Sequence, residues 1–275
     1  MKASVLIQIA AHNKSSFLKH AYAEPPFKVA NITEARNPQL LELMLMSSSP
    51  GVLDDDRYLV DIELAANSSL RLTTQSYQRL FRMVKGAEQD ITVRMLPGSS
   101  LVYLPHPVVP HESAVFRANN KLYLSHGCNV IWGEVLTCGR KLNGERFLFS
   151  FYHSTTEIFL NGRMVVKENL RMAPGTIEVD TIGQMEGFTH QASLICLSPA
   201  YIINDKKTAV TSCLAEEKEI AFGITTAPVH GVIIRILGNG AEQLFDCLKK
   251  LAGIMNFSQN PVCSNFPEKT AEVTK

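Results

Sequence analysis

Ile62-Glu63-Leu64-Ala65-Ala66-Asn67-Ser68-Ser69-Leu70-Arg71-Leu72 is echoed by Val93-Arg94-Met95-Leu96-Pro97-Gly98-Ser99-Ser100-Leu101-Val102-Tyr103. It is echoed again by Leu122-Tyr123-Leu124-Ser125-His126-Gly127-Cys128-Asn129-Val130-Ile131-Trp132. Each unit is a short apolar alternation, a turn cluster, then a second alternation. The residue after the turn recurs at Leu70, Leu101 and Val130, a period of about 30 residues. Alternation of period two means strands with one buried face, and clusters such as Pro97-Gly98-Ser99 break them. A fourth unit runs from Glu157 to Val166, where Asn161-Gly162 between two apolar runs predicts a tight hairpin. Repeats at this spacing predict a mainly β fold of stacked β-layers, solenoid-like or β-helical. A meander of ordinary hairpins is the plainer alternative.

Outward from the repeat, the N-terminal stretch from Met1 to Ala11 reads as a first strand. Its apolar run is too short, and broken by Gln8, for a signal peptide. Gly231 to Leu237 reads as a buried strand. Ala241, Leu244, Phe245, Leu248, Leu251, Ala252 and Met255 follow helical spacing and predict an amphipathic helix over about 241–256. A weaker helix is predicted from Lys206 to Glu217. The expected organisation is one β-rich domain over 1–256 with one or two C-terminal α-helices. A flexible tail over 257–275, with Pro261 and Pro267, follows it.

Composition removes several function classes. The 275 residues carry 27 basic and 26 acidic side chains, so no basic excess exists to hold nucleic acid. No run of 18 apolar residues exists to cross a membrane. The six cysteines form no Cys-x-x-Cys pair, and without a signal peptide they read as reduced thiols in a cytoplasmic protein. There is no Gly-x-Ser-x-Gly elbow and no phosphate-binding Gly-x-x-x-x-Gly-Lys loop.

Candidate metal ligands are sparse. His106 and His111 lie in a proline-rich run that holds the chain extended, so they point to opposite faces and read as exposed imidazoles. His111 with Glu112 offers at most a transient nickel contact, since a tight site needs several convergent ligands. His190 reads as a structural hydrogen-bonding residue. Asp54-Asp55-Asp56 reads as a turn beside a strand, or as a cation- or sugar-binding cluster. Glu134 interrupts the apolar run Ile131 to Leu136 and needs either solvent or a buried partner. Arg140 and Arg146 are the expected partners, in a network that is structural or lines a hydrated passage.

Taken in order, these motifs resemble the UreD/UreH family of urease accessory proteins. The resemblance rests on Tyr22 to Lys28 with its proline pair, Ser49-Pro50-Gly51-Val52 with Asp56, Thr73 to Ser76, and Leu104-Pro105-His106-Pro107 with Pro110 and Phe116. It continues through Trp132-Gly133-Glu134, Gly139-Arg140, Gly144 to Phe147, Gly187 to His190, and Gly231 to Gly238. It covers roughly residues 20 to 256. It implies a non-catalytic β scaffold that binds a UreF-like helical protein and, through it, a UreG-like GTPase. The assembly docks on apo-urease and supports nickel insertion. No cofactor is held tightly, and nickel is in transit. Polar residues inside the β core line its path, and the resemblance carries Asp56 and Glu134 over as path candidates, with Gln75 a third. Two departures stand out: Asp54-Asp55-Asp56 where many members have Gly-Gly-Asp or Gly-Asp, and His111 where an aromatic is usual.

The final helix is the expected docking element, exposing part of Leu244, Phe245, Leu248 and Leu251. Two other functions compete. One is a β-solenoid carbohydrate-active enzyme using Asp54 to Asp56 and Glu63. The other is a stand-alone nickel metallochaperone, against which stands the lack of a His-rich tract.

Overall fold

The computed structural model describes residues 1–34, 39–199 and 203–255; the predicted tail lies outside them. The repeat is the skeleton of the fold. β5 (Arg57–Leu64), β8 (Ala87–Met95), β11 (Val115–Leu124) and β13 (Phe151–Leu160) pair in parallel, in that order. β6 (Ser69–Thr74), β9 (Ser100–Leu104) and β12 (Asn129–Thr137) stack the same way in a second sheet. Each coil therefore gives one strand to each sheet. Ile62 lies beside Val93, and Val93 beside Leu122. Leu70 lies beside Leu101, and Leu101 beside Val130. The period of the sequence is the circumference of one coil.

The turn between the two strands of a coil is also repeated. Asn67, Gly98 and Gly127 occupy equivalent positions, with φ of 58°, 72° and 73°. That left-handed conformation suits Asn and Gly. One residue on, the Ser68 hydroxyl donates to Ala65 O at 2.8 Å and the Ser99 hydroxyl to Leu96 O at 2.7 Å. These bonds keep buried turn groups satisfied.

The ends of the solenoid are finished by hairpins. β1 (Lys2–His12) runs parallel to β5 and carries β2 (Ser15–Ala23) antiparallel on its other side. β3 (Phe27–Asn31) and β4 (Leu41–Ser47) pair antiparallel and extend the second sheet from β6. The Asn161-Gly162 turn, with φ of 48° and 81°, folds β14 (Arg163–Met172) back along β13 as the sequence predicts. β15 (His190–Leu197), β17 (Gly231–Gly238) and β16 (Ala221–Thr226) follow β12 in antiparallel order. Short β7 (Gln78–Leu80) and β10 (Val108–Pro110) close the loops between coils. Among the described residues this makes a seven-stranded and a ten-stranded sheet, face to face and without closure into a barrel.

Ile7, Ile62, Val93 and Leu122 meet Leu43, Leu72, Leu101 and Trp132 between the sheets. The outer face of the second sheet carries a separate apolar layer: Ile131, Val135, Leu194, Ile234 and Ile236. It is covered by α1 (Ile203–Ala215) and α2 (Ala241–Ile254), which correspond to the two predicted helices. Here one expectation is corrected. Leu244, Phe245, Leu248 and Leu251 were expected to show part of their surface to a partner, but all four are buried, at most 5% exposed. The cause lies in the sheet: Gly133 has no side chain, and a Cβ there would fall 2.6 Å from Leu104 and 3.1 Å from Leu248. The bare backbone lets α2 settle fully onto it.

Gly231 makes the other close approach. A Cβ there would lie 2.1 Å from the Cys196 carbonyl oxygen. Gly231→Val is expected to lower unfolding free energy by about 3 kcal/mol, read as a reduced midpoint in urea denaturation.

Candidate functional site

The side chain with the most unusual surroundings is Glu134. Trp132 and Glu134 are two apart on β12 and so project from one face, into the space between the sheets. The Glu134 carboxylate accepts from Asn120 Nδ2 at 2.9 Å, Trp132 Nε1 at 2.9 Å, Ser154 Oγ at 3.0 Å and Thr156 Oγ1 at 3.1 Å. Asn120 also donates to Thr156 Oγ1 at 3.0 Å, and these two are register partners on β11 and β13. All four donors are neutral. Buried Tyr103 and Tyr152 stand near by; burial first, then the negative charge of Glu134, pushes both phenols well above their ordinary pKa. The cluster offers one negative charge and many hydroxyls, with no fixed cation among its hydrogen-bond partners.

Two cavities share a wall at this point. The larger holds about 1190 Å³ of empty space, its open mouth included. It runs from exposed Gln75 and Ser76, past His106, to Asn120, Tyr152 and Glu134. The smaller, about 460 Å³ with its open mouth included, runs from Glu134 and Thr156 toward Glu168, Gln191 and Ser193. Trp132, Glu134, Val135, Tyr152 and Ser154 line both. Glu134 thus stands in the wall that the two cavities share.

The other expected path residues are placed apart from it. Gln75 lies at the outer mouth of the larger cavity, and its side chain is exposed. Asp56 is 2% exposed and lines neither of these cavities. It accepts from Tyr58 Oη at 2.6 Å, Leu53 N at 2.8 Å and the Met1 amine at 3.0 Å. Burial alone would raise its pKa, but these donors outweigh burial and hold it below the usual carboxylate range. Its link to the larger cavity is Tyr58, which lines the wall. His111 and Glu112 diverge: Glu112 is exposed, while His111 is buried edge-on against Phe81 at 4.8 Å. Neither histidine of the proline-rich run is the freely exposed imidazole expected. His106 lies tilted against the Phe245 ring, with centroids 4.7 Å apart.

One further expectation is corrected, and the turn reading of the aspartate run holds. Arg140 and Arg146 do not reach Glu134; they pair with Glu145 and Asp180. The aspartate run is a turn, in which Asp54 accepts from Lys85 N at 2.8 Å and Gly86 N at 2.9 Å. Asp56 and Glu63 lie near opposite ends of β5. Seven residues of extended strand separate them by roughly 23 Å, far beyond the span of a glycosidase carboxylate pair. Among the described residues no three His, Cys, Asp or Glu side chains converge to hold a metal ion.

His190 behaves as a structural residue. Its Nδ1 lies 2.7 Å from Thr189 Oγ1, which in turn donates to Asn239 Oδ1 at 3.0 Å. Burial, aided by Lys141, lowers its pKa to about 4. Between that value and an unfolded value near 6.5, the unfolded chain binds the extra proton. Stability is therefore full above the unfolded pKa and falls as pH drops through the window, by up to about 1.4 kcal/mol per pH unit. Denaturant titrations at pH 7 and pH 5 are expected to show the fall, and His190→Gln to shrink it.

The sequence matches the family described as "UreD urease accessory protein" over residues 1–265. The UreD urease accessory protein of Flavobacterium johnsoniae is 45% identical over 239 residues, covering 86% of each chain. That of Acetivibrio thermocellus is 32% identical over 241 residues, covering 86% of this chain and 91% of its own. That of Haemophilus influenzae (strain PittEE) is 32% identical over 266 residues, covering 92% and 98%. By these matches the chain belongs to the UreD family of urease accessory proteins.

Proposed function

We propose that the chain is a non-catalytic cytoplasmic scaffold that supports nickel insertion into apo-urease. In this reading a UreF-like helical protein and a UreG-like GTPase are its partners, and nickel crosses the space between the two sheets. The observation that supports it is the Glu134 cluster: a carboxylate held by four neutral donors where two cavities adjoin. None of the four donors to this half-buried carboxylate is a cation that would compete with a passing metal ion for it. The absence of a converging set of ligands among the described residues suits passage better than storage. That favours a conduit over a stand-alone metallochaperone.

The experiment is reconstitution of urease with and without this chain, at equal partner and nickel concentrations, followed by metal analysis of the purified urease. The reading expects nickel-poor urease when the chain is omitted. Equal nickel in both preparations would refute it.

A further inference from the structure

The row of side chains that passes through Glu134 ends at a charge of opposite sign. Register sets Glu134 of β12 beside Ser193 of β15, and Ser193 beside Arg235 of β17. Residues in one row of a sheet share a face. Glu168 of β14, the edge strand of the other sheet, faces this row and lines the smaller cavity with Glu134 and Ser193. The Arg235 guanidinium donates to Glu168 Oε2 at 2.6 Å and so ties the two sheets together behind the Glu168 wall of the smaller cavity, which Arg235 itself does not line. The Glu168 side chain is 19% exposed and that of Arg235 61%.

This placement has an electrostatic consequence. Unpaired, Glu134 and Glu168 would put two carboxylates on the wall of one small cavity, an attractive place for a divalent cation. Arg235 cancels the Glu168 charge and sets a positive group beside the wall that Glu168 forms. Guanidinium is charged at any physiological pH, so acidity does not remove it. Competition from another carboxylate does. An ion pair this exposed contributes little to stability and exchanges readily.

We propose that Arg235 gates the smaller cavity: paired with Glu168 it closes the cavity to divalent cations, and an acidic side chain of a docked protein opens it by taking the guanidinium. The inference rests on the reading that cations cross this interior, and it adds the residue that controls one cavity. The test is calorimetric titration of nickel ion alone into the purified full chain. Arg235→Gln is expected to bind nickel on the order of tenfold more tightly than the unaltered chain, with an unchanged near-ultraviolet circular dichroism spectrum. Arg235→Lys restores the weak binding, because the wall regains its positive charge. Arg235→Gln combined with Glu168→Gln loses the gain. Equal affinity in Arg235→Gln and the unaltered chain overturns the gate, as does a gain that survives removal of the Glu168 carboxylate. The outcome stands apart from urease nickel content. A failed gate beside a nickel-poor urease in the omission experiment discards Arg235 and keeps the conduit. A binding gain beside nickel-replete urease keeps the gate and discards the conduit.

Discussion

Leu248→Asp is expected to yield a chain that does not fold, rather than a folded chain that has lost a partner. Leu248 is 1% exposed and lies in the layer between α2 and the second sheet, over the bare backbone of Gly133. An ionised carboxylate there has no cation to pair with among the described residues of the layer. Burying it, with loss of the leucine's packing, costs about 4 kcal/mol or more. That is a large share of the 5–15 kcal/mol roughly available to a domain. The measurable result is loss of soluble protein and of the cooperative thermal transition. Lys250→Glu on the opposite face of α2 is the control. Lys250 is exposed and pairs with Glu217, so its loss costs about 1 kcal/mol or less. A cooperative, native-like transition in Leu248→Asp would contradict the packing described for α2. If α2 meets a partner, the face it offers is the polar one carrying Glu242, Asp246 and Lys250.

The second large effect concerns Glu134. Glu134→Leu removes the acceptor for Asn120, Trp132, Ser154 and Thr156. Each donor left without a partner costs roughly 1–3 kcal/mol, less where cavity water replaces the carboxylate. Glu134→Gln keeps the shape and one acceptor oxygen while removing the charge. A cation 4 Å from a unit charge gains about 4 kcal/mol at an effective dielectric near 20. A tenfold slower transfer needs a barrier change of only about 1.4 kcal/mol. Urease matured with the Glu134→Gln chain is therefore expected to carry nickel at about one-tenth of the usual rate of loading or below. The accessory complex should still co-purify intact, since Glu134 lies in the interior. Normal loading with Glu134→Gln would reduce the residue to a structural hub.

The architecture was legible because a solenoid writes its geometry into the sequence. Aligning Ile62, Val93 and Leu122 by apolar pattern places residues that the structure stacks in register. Glu134 was legible for a similar reason, as a charge at an inward position of an apolar strand. Its partners were misread because Arg140 and Arg146 are near in sequence, whereas three of the four donors, Asn120, Ser154 and Thr156, arrive from β11 and β13 of the facing sheet. A signal for them existed: Asn120, Ser154 and Thr156 sit at inward positions of the two-residue alternation, beside Ala118, Leu122, Tyr152 and Ile158. A polar residue at an inward position needs a partner, and the coil register would have supplied it. The burial of α2 was hidden for another reason. An amphipathic helix looks the same from sequence whether its apolar face meets its own sheet or another protein, and the deciding residue, Gly133, is on a different element. Arg235 and Glu168 were invisible as a pair because each reads alone as a solvated strand charge.

The central claim is that nickel occupies the space between the two sheets. The direct measurement is an anomalous difference map, recorded at the nickel absorption edge, from crystals of the assembled accessory complex supplied with nickel. The account predicts density beside the Glu134 carboxylate, between β12 and β13, that disappears in Glu134→Gln. Nickel found solely at surface histidines, with an interior identical in the two crystals, would contradict it.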